Sequence, residues 1–297
     1  MKPFSHFPAF PSFAMNVYWL EQTEADVPQD HDWLSANEAA RLNGMRFAKR
    51  RADWRLGRWA AKRALAAYLN LPSHPQALTD IELRPASSGA PEVFFANKPA
   101  AVAVSLSHRA GSALCAVAPS GAALGCDLEI IEPRSDGFVA DYFTPEEQAL
   151  VAEAPAPDRP RLSALLWSAK ESALKALRAG LRLDTRCVTV EASGIRNPQS
   201  EIDSTDLKVG ATGYPERRPW LARGVDALWP QERLTEDLAI AVWSQDGLIS
   251  WRPLQVRHTD GQVFHGWWQN TGHLLRTMVT APPSALPIPL RIPTWVS

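Results

Sequence analysis

Three apolar stretches between residues 101 and 131 constrain the fold of this chain most. They read AVAVSLSH, SALCAVAP and AALGCDLEII, and short glycine-containing turns separate them. Apolar runs of this length, bounded by turn residues, are typical of buried strands. Connections of only a few residues join strands that run antiparallel. The region therefore predicts three consecutive antiparallel strands.

Helical patterns lie on both sides of these strands. LSANEAARLNG offers Ser35 as an N-cap with Glu38 three residues later, and FAKRRADWRLGRWAAKRALAAYL then runs without proline to Pro72. FTPEEQALVAEA has Thr144 as a cap and Pro145 at the first helical position. RLSALLWSAKESALKALRAG predicts the longest helix of the second half.

Further strands are predicted on either side of these helices. IELRPASSGAPEVFF reads as strand, turn and strand, while RCVTVEA and DLAIAVWS read as strands on both sides of a long polar insertion. Each half thus pairs a helix with antiparallel strands. We expect an α+β fold of two similar lobes, each a helix packed on an antiparallel sheet, related by a pseudo-two-fold axis. No internal repeat is visible in the sequence.

The expected division of the chain has four parts. They are an N-terminal arm (1–33), an N-terminal lobe (34–120), a C-terminal lobe (121–250) and a C-terminal extension (251–297) to which the sequence assigns no role. Two lobes in one chain can build a complete site at their interface. We therefore expect a monomer.

Charge and cysteine content exclude several classes of protein. The 297 residues carry 31 Lys+Arg and 32 Asp+Glu, a net charge of -1, which argues against a nucleic-acid binder with a wholly basic surface. Three cysteines without a CxxC pair suit neither a disulfide framework nor a zinc cage, and indicate the cytoplasm. No apolar run is long enough to predict a membrane span.

Asp127 and Glu129 stand two residues apart in a strand that otherwise reads as buried. Residues two apart share a face, so both carboxylates and Gly125 project together while Cys126 and Leu128 face a core. Two such acids repel each other, and a divalent cation such as Mg²⁺ removes the conflict. A strand edge with two solvated acids is the other interpretation.

The helix at 161–179 supplies a third carboxylate. At 100° per residue its leucines and alanines form one stripe, and Trp167, Glu171, Lys175 and Arg178 lie on the opposite side. A tryptophan is unusual on a solvent-facing stripe, so this side is expected to look into a site. An ordinary Glu–Lys surface pair at i, i+4 is the alternative.

A basic stripe marks the early helix. Arg51, Arg55, Arg58 and Lys62 fall on one side of it, and like charges in a row need an anionic partner, either carboxylates or the phosphates of a ligand. SLSHR (105–109) ends a strand with polar groups, but no acid partner and no GxSxG elbow completes a catalytic triad.

In this order the motifs resemble the 4′-phosphopantetheinyl transferase superfamily, in its larger two-lobed branch of surfactin-type and enterobactin-type enzymes. The motifs are RRADWRLGRWAAK (50–62), SSGAP (87–91), SLSH (105–108), GCDLE (125–129), FTPEE (143–147) and WSAKESALK (167–175). GCDLE followed some forty residues later by WSAKES is the most specific of these signals.

The resemblance implies roles for individual residues. The metal set is Asp127, Glu129 and Glu171, which would hold Mg²⁺ on the pyrophosphate of coenzyme A. The coenzyme A contacts are Arg51, Arg58, Lys62, Gly89, Pro91, Ser107, His108, Lys170 and Lys175. Lys175 is also assigned to catalysis, and Glu147 is a candidate base for the attacking hydroxyl, with water on the metal as its rival. Two departures stand out: Ala90 replaces the lysine of a frequent GKP motif, and Lys62 stands where many members have arginine.

The implied reaction is Mg²⁺-dependent transfer of 4′-phosphopantetheine from coenzyme A to a serine of an apo acyl or peptidyl carrier protein, with release of 3′,5′-adenosine diphosphate. One alternative is a Mg²⁺-dependent pyrophosphatase acting on coenzyme A or a related nucleotide. Another is a non-catalytic homologue that binds coenzyme A or a carrier.

Overall fold

The computed structural model describes residues 15–191 and 251–292, and within these ranges the chain is α+β, as predicted. The helices are α1 (Ala36–Asn43), α2 (Ala48–Tyr68), α3 (Pro75–Leu78), α4 (Asp136–Tyr142), α5 (Pro145–Glu153) and α6 (Arg159–Ala176). The strands are β1 (Tyr18–Thr23), β2 (Ile81–Pro85), β3 (Pro91–Phe95), β4 (Lys98–Pro99), β5 (Val102–Arg109), β6 (Ser112–Pro119), β7 (Ala123–Ile130), β8 (Val188–Val190), β9 (Arg252–His258), β10 (Val263–Thr271), β11 (Leu274–Ala281) and β12 (Ile288–Pro289). None of the helices in these ranges has the length and apolar character needed to cross a bilayer.

The first sheet has the strand order β12-β1-β6-β5, and helix α2 packs against it. Trp59 and Leu65 of α2 are buried with Leu20 of β1 and Val117 of β6 in one core cluster. A separate small sheet, β2-β3-β4, adjoins this lobe. The predicted cap of α1 is confirmed, because Ser35 and Glu38 form a capping box.

The second sheet has the order β7-β11-β10-β9-β8, and helix α6 packs against β7 and β11. Gly125 sits where the helix backbone comes closest, since a Cβ at that position would lie 1.7 Å from the carbonyl oxygen of Ser172. On the other face of β7, Cys126 and Leu128 enter a core cluster, as the strand alternation predicts. The glycine therefore lets α6 lie directly over the acidic face of β7.

Helix α6 differs from the predicted amphipathic helix. Its residues are buried almost all round, because sheet, α5 and the α4 region surround it, and only Glu171 and Lys175 of the predicted polar side remain half-buried. Trp167 packs edge-on against Phe138 and Tyr142, so it is a packing residue. The helix also ends at Ala176, three residues before the end of the predicted range 161–179.

Residues from both ends of the described chain complete the sheets. β9, β10 and β11 lie in the segment to which the sequence assigns no role, and β11 pairs with the whole of β7, from Leu274↔Ile130 to Ala281↔Ala123. β1, from the predicted arm, pairs with β6. The predicted strand DLAIAVWS lies outside the described residues.

Each half contains a buried ion pair of the same kind, a similarity that is not visible in the sequence. In each half, the acid of a capping box receives a hydrogen bond from a distant strand backbone and pairs with a lysine of the long helix. The first half has Glu38, Leu83 N and Lys62, and the second has Glu147, Val190 N and Lys170. Each lysine also donates to two backbone carbonyls. The predicted similarity of the lobes thus extends to their internal contacts.

Candidate active site

The acids of β7 lie where β7 runs beside β5. Ser105 of β5 accepts a hydrogen bond from the backbone N–H of Cys126 at 2.9 Å, and Ser107 Oγ donates to Asp127 Oδ1 at 2.8 Å. Both carboxylates are buried, with Asp127 only 3% exposed. Desolvated carboxylates need partners, so their surroundings define the chemistry of this site.

Lys175 of α6 is the main partner of Asp127. Its Nζ lies 2.7 Å from Asp127 Oδ1 and donates to the carbonyl oxygen of Cys126 at 3.0 Å. Burial by itself lowers the pKa of Lys175, but the charges around it, Asp127 foremost, outweigh that effect and raise its pKa above the ordinary value. Lys175 is therefore a persistent cation at this point.

Glu171 lies one helical turn before Lys175, with its Oε2 3.8 Å from the lysine Nζ. Burial, followed by the negative charge of Asp127, raises the pKa of Glu171 to about 7. The attraction of Lys175 offsets this only in part. The helix thus places a carboxyl that changes charge near neutral pH beside a permanently charged pair.

Glu129 is held by a different set of cations. Its Oε1 lies 2.9 Å from Arg109 Nε and 3.2 Å from an Nη of Arg134, and both arginines also contact Glu132. Arg134 stacks in addition over the ring of Phe138. The carboxylate of Glu129 is therefore engaged by arginines rather than by Lys175.

The predicted metal set is consequently not assembled as a three-carboxylate cage. Within residues 15–191 and 251–292, no group of three or more His, Cys, Asp or Glu side chains is arranged to hold a metal ion. However, Asp127 Oδ2 is buried and has no hydrogen-bond partner in that part of the chain, and Glu171 adds a second carboxyl nearby. One or two carboxylates are what a protein usually offers Mg²⁺ when a phosphate ligand completes the shell, so Asp127 and Glu171 fit this ion.

A cleft of about 1040 Å³ reaches this cluster at Lys175. Four of the predicted coenzyme A contacts line it: Arg58, Gly89, Pro91 and Lys175. Three further arginines line it: Arg178, which the sequence placed on the side expected to look into a site, and Arg41 and Arg84, which the sequence interpretation missed. Helical spacing was a usable signal for Arg41, because it follows Glu38 by three residues and shares its face.

Two of the coenzyme A contacts predicted on the basic stripe do not line this cleft. Lys62 is fully buried, where it pairs with Glu38 at 2.5 Å and donates to the carbonyl oxygens of Trp33 and Leu78. Arg51 donates to the carbonyl oxygen of Leu42 at 3.0 Å. Backbone carbonyls and one interior carboxylate therefore compensate this part of the stripe, and the expected contact of Lys62 with the ligand is wrong in this structure.

The predicted roles of Glu147 as a base and of Lys170 as a coenzyme A contact are corrected in the same way. Both are fully buried and pair at 2.7 Å, while Glu147 also accepts hydrogen bonds from the backbone N–H groups of Thr144 and Val190. A side chain with no exposed surface can neither touch a phosphate nor take a proton from a hydroxyl. The sequence signal for the structural role of Glu147 was its capping-box spacing from Thr144.

His108 lies at the surface at the end of β5, next to Ser107. Partial desolvation lowers the pKa of His108; Asp53 opposes that effect, and Lys175 adds to it. The imidazole is therefore close enough to Lys175 to respond to its charge.

Comparisons with known proteins agree with these features. The family model of the 4′-phosphopantetheinyl transferase superfamily matches residues 123–241. 4′-Phosphopantetheinyl transferase HetI of Nostoc sp. (strain PCC 7120) is 30% identical over 164 residues, which cover 54% of this chain and 67% of that protein. A holo-(acyl-carrier-protein) synthase from Bacillus anthracis, solved with CoA (3′,5′-ADP), is 23% identical with a TM-score of 0.30, and the match covers 36% of this chain and 100% of that one. The family model and the likeness to HetI show that the chain belongs to the 4′-phosphopantetheinyl transferase superfamily and is an enzyme of that class.

Proposed function

We propose that this enzyme transfers the 4′-phosphopantetheine group of coenzyme A to a serine hydroxyl of an apo carrier protein, with Mg²⁺ and with release of 3′,5′-adenosine diphosphate. One observation carries the proposal. The buried cluster of Asp127, Lys175 and Glu171 adjoins a cleft lined by arginines. Such a cleft suits an elongated ligand that carries phosphates, because guanidinium groups match phosphate oxygens.

Each part of the cluster has a task in this reaction. Lys175 would contact the pyrophosphate and stabilise charge that develops on its oxygens, because Asp127 already fixes its ammonium group in place. Asp127 and Glu171 would hold Mg²⁺, which when bound supplies further charge neutralisation. Ser107 keeps Asp127 oriented through its hydrogen bond. Positioning of the reactants then provides most of the rate enhancement.

The cleft also offers an explanation for the alanine at position 90. Where relatives frequently have a lysine, this chain has Ala90, but Arg84 and Arg178 line the same part of the cleft. Arg178 is bound to Glu92 at 3.2 Å, and Arg84 pairs with Glu82 at 2.7 Å. We infer that these arginines supply the positive charge that the lysine would have given.

Intact-mass spectrometry of several apo carrier proteins, incubated with this enzyme, coenzyme A and Mg²⁺, tests the proposal. A mass gain of one phosphopantetheine group on a carrier is expected. Free 4′-phosphopantetheine without any modified carrier would instead identify a pyrophosphatase. Binding of coenzyme A without either product would identify a non-catalytic homologue.

Substitution of the two carboxylates tests the site itself. In Asp127→Asn and Glu171→Gln we expect transfer to fall by about 100-fold or more, because each removes a carboxylate that would hold Mg²⁺, and Asp127→Asn also loosens Lys175. Glu191→Gln is the matched control, since Glu191 is likewise bound to a cation, Arg257, but lies outside the cluster. Full activity of either site variant would contradict the assignment.

Three broader assignments belong to the same proposal. We place the enzyme in the larger two-lobed branch of the superfamily, acting as a monomer, because Lys175, Asp127 and the arginines of the cleft all come from one chain. We keep the division at residues 33, 120 and 250 as a working description of the chain. The free thiols of Cys115, Cys126 and Cys187 support a cytoplasmic location.

A further inference from the structure

The buried ion pair occurs twice, but its two copies differ in one contact. In the second half, the described partners of the Glu147 carboxylate are Lys170, Thr144 N and Val190 N. In the first half, Glu38 has the matching partners and an additional one, since its Oε1 lies 3.7 Å from Arg58 Nε. The position four residues before the lysine explains the difference: it holds Arg58 before Lys62, but Leu166 before Lys170. Only the first copy extends toward the ligand cleft.

Arg58 is held by the protein on more than one side. Its side chain is 13% exposed, and its guanidinium lies 5.0 Å from the centre of the Trp54 ring. The residue lines the cleft together with Arg41 and Arg84. An arginine that is nearly buried, stacked and tethered to a carboxylate loses little conformational freedom when it binds an anion.

Glu38 is itself fixed. The backbone N–H of Ser35 and that of Leu83 donate to its two oxygens, at 3.2 and 3.3 Å, and Lys62 contacts it at 2.5 Å. Loss of its charge would therefore free Arg58 without removing any group that lines the cleft.

We propose that Glu38 is a positioning residue that holds Arg58 for the phosphate of coenzyme A remote from the reacting pyrophosphate, the 3′-phosphate. This inference rests on the proposed function, in which coenzyme A occupies the cleft. Coenzyme A carries two separate phosphate sites, and the cleft offers two separate cationic sites, Lys175 beside the acids and the set of Arg41, Arg58 and Arg84. Lys175 suits the pyrophosphate, so the arginines suit the other phosphate.

The test compares binding of coenzyme A with binding of dephospho-coenzyme A, which lacks only the 3′-phosphate, by titration calorimetry. The wild type is expected to prefer coenzyme A. In Glu38→Gln that preference should fall about tenfold, because a poorly positioned Arg58 would lose about one charge-assisted hydrogen bond to the 3′-phosphate. The affinity for dephospho-coenzyme A should stay near that of the wild type. Glu147→Gln is the matched control, because it damages the equivalent pair, which has no arginine to position. Its preference should equal that of the wild type.

Two further variants keep the test decisive if Glu38→Gln folds poorly because Lys62 is left unpaired. Glu38→Gln combined with Lys62→Met removes both interior charges and should show the same lowered preference. Lys62→Met alone retains Glu38 beside Arg58 and should keep the preference.

A double-mutant comparison tests whether Glu38 acts through Arg58. In an Arg58→Ala background, Glu38→Gln should cause no further loss of preference, because the effect of Glu38 depends on the arginine that it positions.

The outcomes separate this inference from the proposed function. A wild type that prefers coenzyme A, with the preference unchanged in the double variant, would overturn the role of Glu38 and leave the proposed function standing. An equal loss of preference in Glu147→Gln would also overturn it, since the effect would then be general destabilisation. A wild type that binds neither ligand would overturn both proposals.

Discussion

At the scale of single residues, the protonation of Glu171 makes the charge of the site depend on pH. Its pKa rises from 4.5 to about 7 in the folded protein, so the folded state holds the proton more tightly than the unfolded chain does. The stabilisation that this provides is complete below about pH 4.5 and is lost as pH rises through 7. The same shift makes the carboxylate available to a cation only toward neutral pH.

This shift predicts a stability change that can be measured without metal. With a chelator present, the free energy of unfolding of the wild type should contain a component of about 2 kcal/mol that disappears between about pH 5 and pH 7.5. Glu171→Gln should lack that component, because an amide does not titrate. Urea denaturation at the two pH values measures both proteins. The same pH dependence in wild type and variant would rule out Glu171 as its source.

At the scale of elements, the contact of α6 with β7 depends on a missing side chain. In Gly125→Ala the new methyl group would meet the Ser172 carbonyl, so the helix would have to move away from the sheet that bears Asp127. We expect a loss of about 3 kcal/mol or more in unfolding free energy. Gly57→Ala is the control: its methyl group would meet nothing within 4 Å, and alanine favours helix α2, so a gain of up to about 1 kcal/mol is expected. Thermal unfolding of the two variants should shift in opposite directions.

The pair of Glu147 and Lys170 gives a second prediction at this scale. Lys170→Met should cost about 3–5 kcal/mol, because it leaves the Glu147 carboxylate buried without its cation. Glu147→Leu combined with Lys170→Met should recover most of that loss, since neither charge remains. Denaturation measures the stability, and the transfer assay on the folded double variant then tests the role of the pair. Abolished transfer in a stable double variant would return Glu147 to the candidates for the catalytic base.

At the scale of the whole molecule, local patterns predicted most elements but few of their partners. Strands β5, β6 and β7 and the caps of α1 and α5 follow from apolar runs and capping spacing, and the structure confirms these elements. Their pairing was predicted only in part, because β5 and β6 are antiparallel neighbours but β7 pairs with β11 in the second sheet. Burial of Lys62 and Lys170 could not be predicted, because their partners lie far away in sequence. Reading α6 as amphipathic failed for the same reason, since its surroundings come from distant segments. The approach of Asp127 to Lys175, by contrast, was implied by the family resemblance.

The position of β11 leads to the last prediction, which concerns the segment after residue 250. β11 pairs along the full length of β7, and Thr277 Oγ1 lies within hydrogen-bond distance of Ser168 and Ser172 of α6, at 2.8 and 2.7 Å. A chain that ends at residue 250 would leave β7 without this partner and would expose the apolar side chains of α6 that face β11.

We therefore expect the 1–250 fragment to be insoluble or to lack cooperative unfolding. A chain that ends at residue 286 should still fold, with reduced stability, because among the described residues it loses the short strand β12 with its pairing to β1 and the half-buried Leu290 and Ile292, but keeps all of β11. Circular dichroism during thermal unfolding compares both with the full chain. Cooperative unfolding of the 1–250 fragment would mean that β7 and α6 hold the acidic cluster together without β11. The segment would then be an accessory to the sheet, and the acids of β7 would owe their position to α6 and β5 alone.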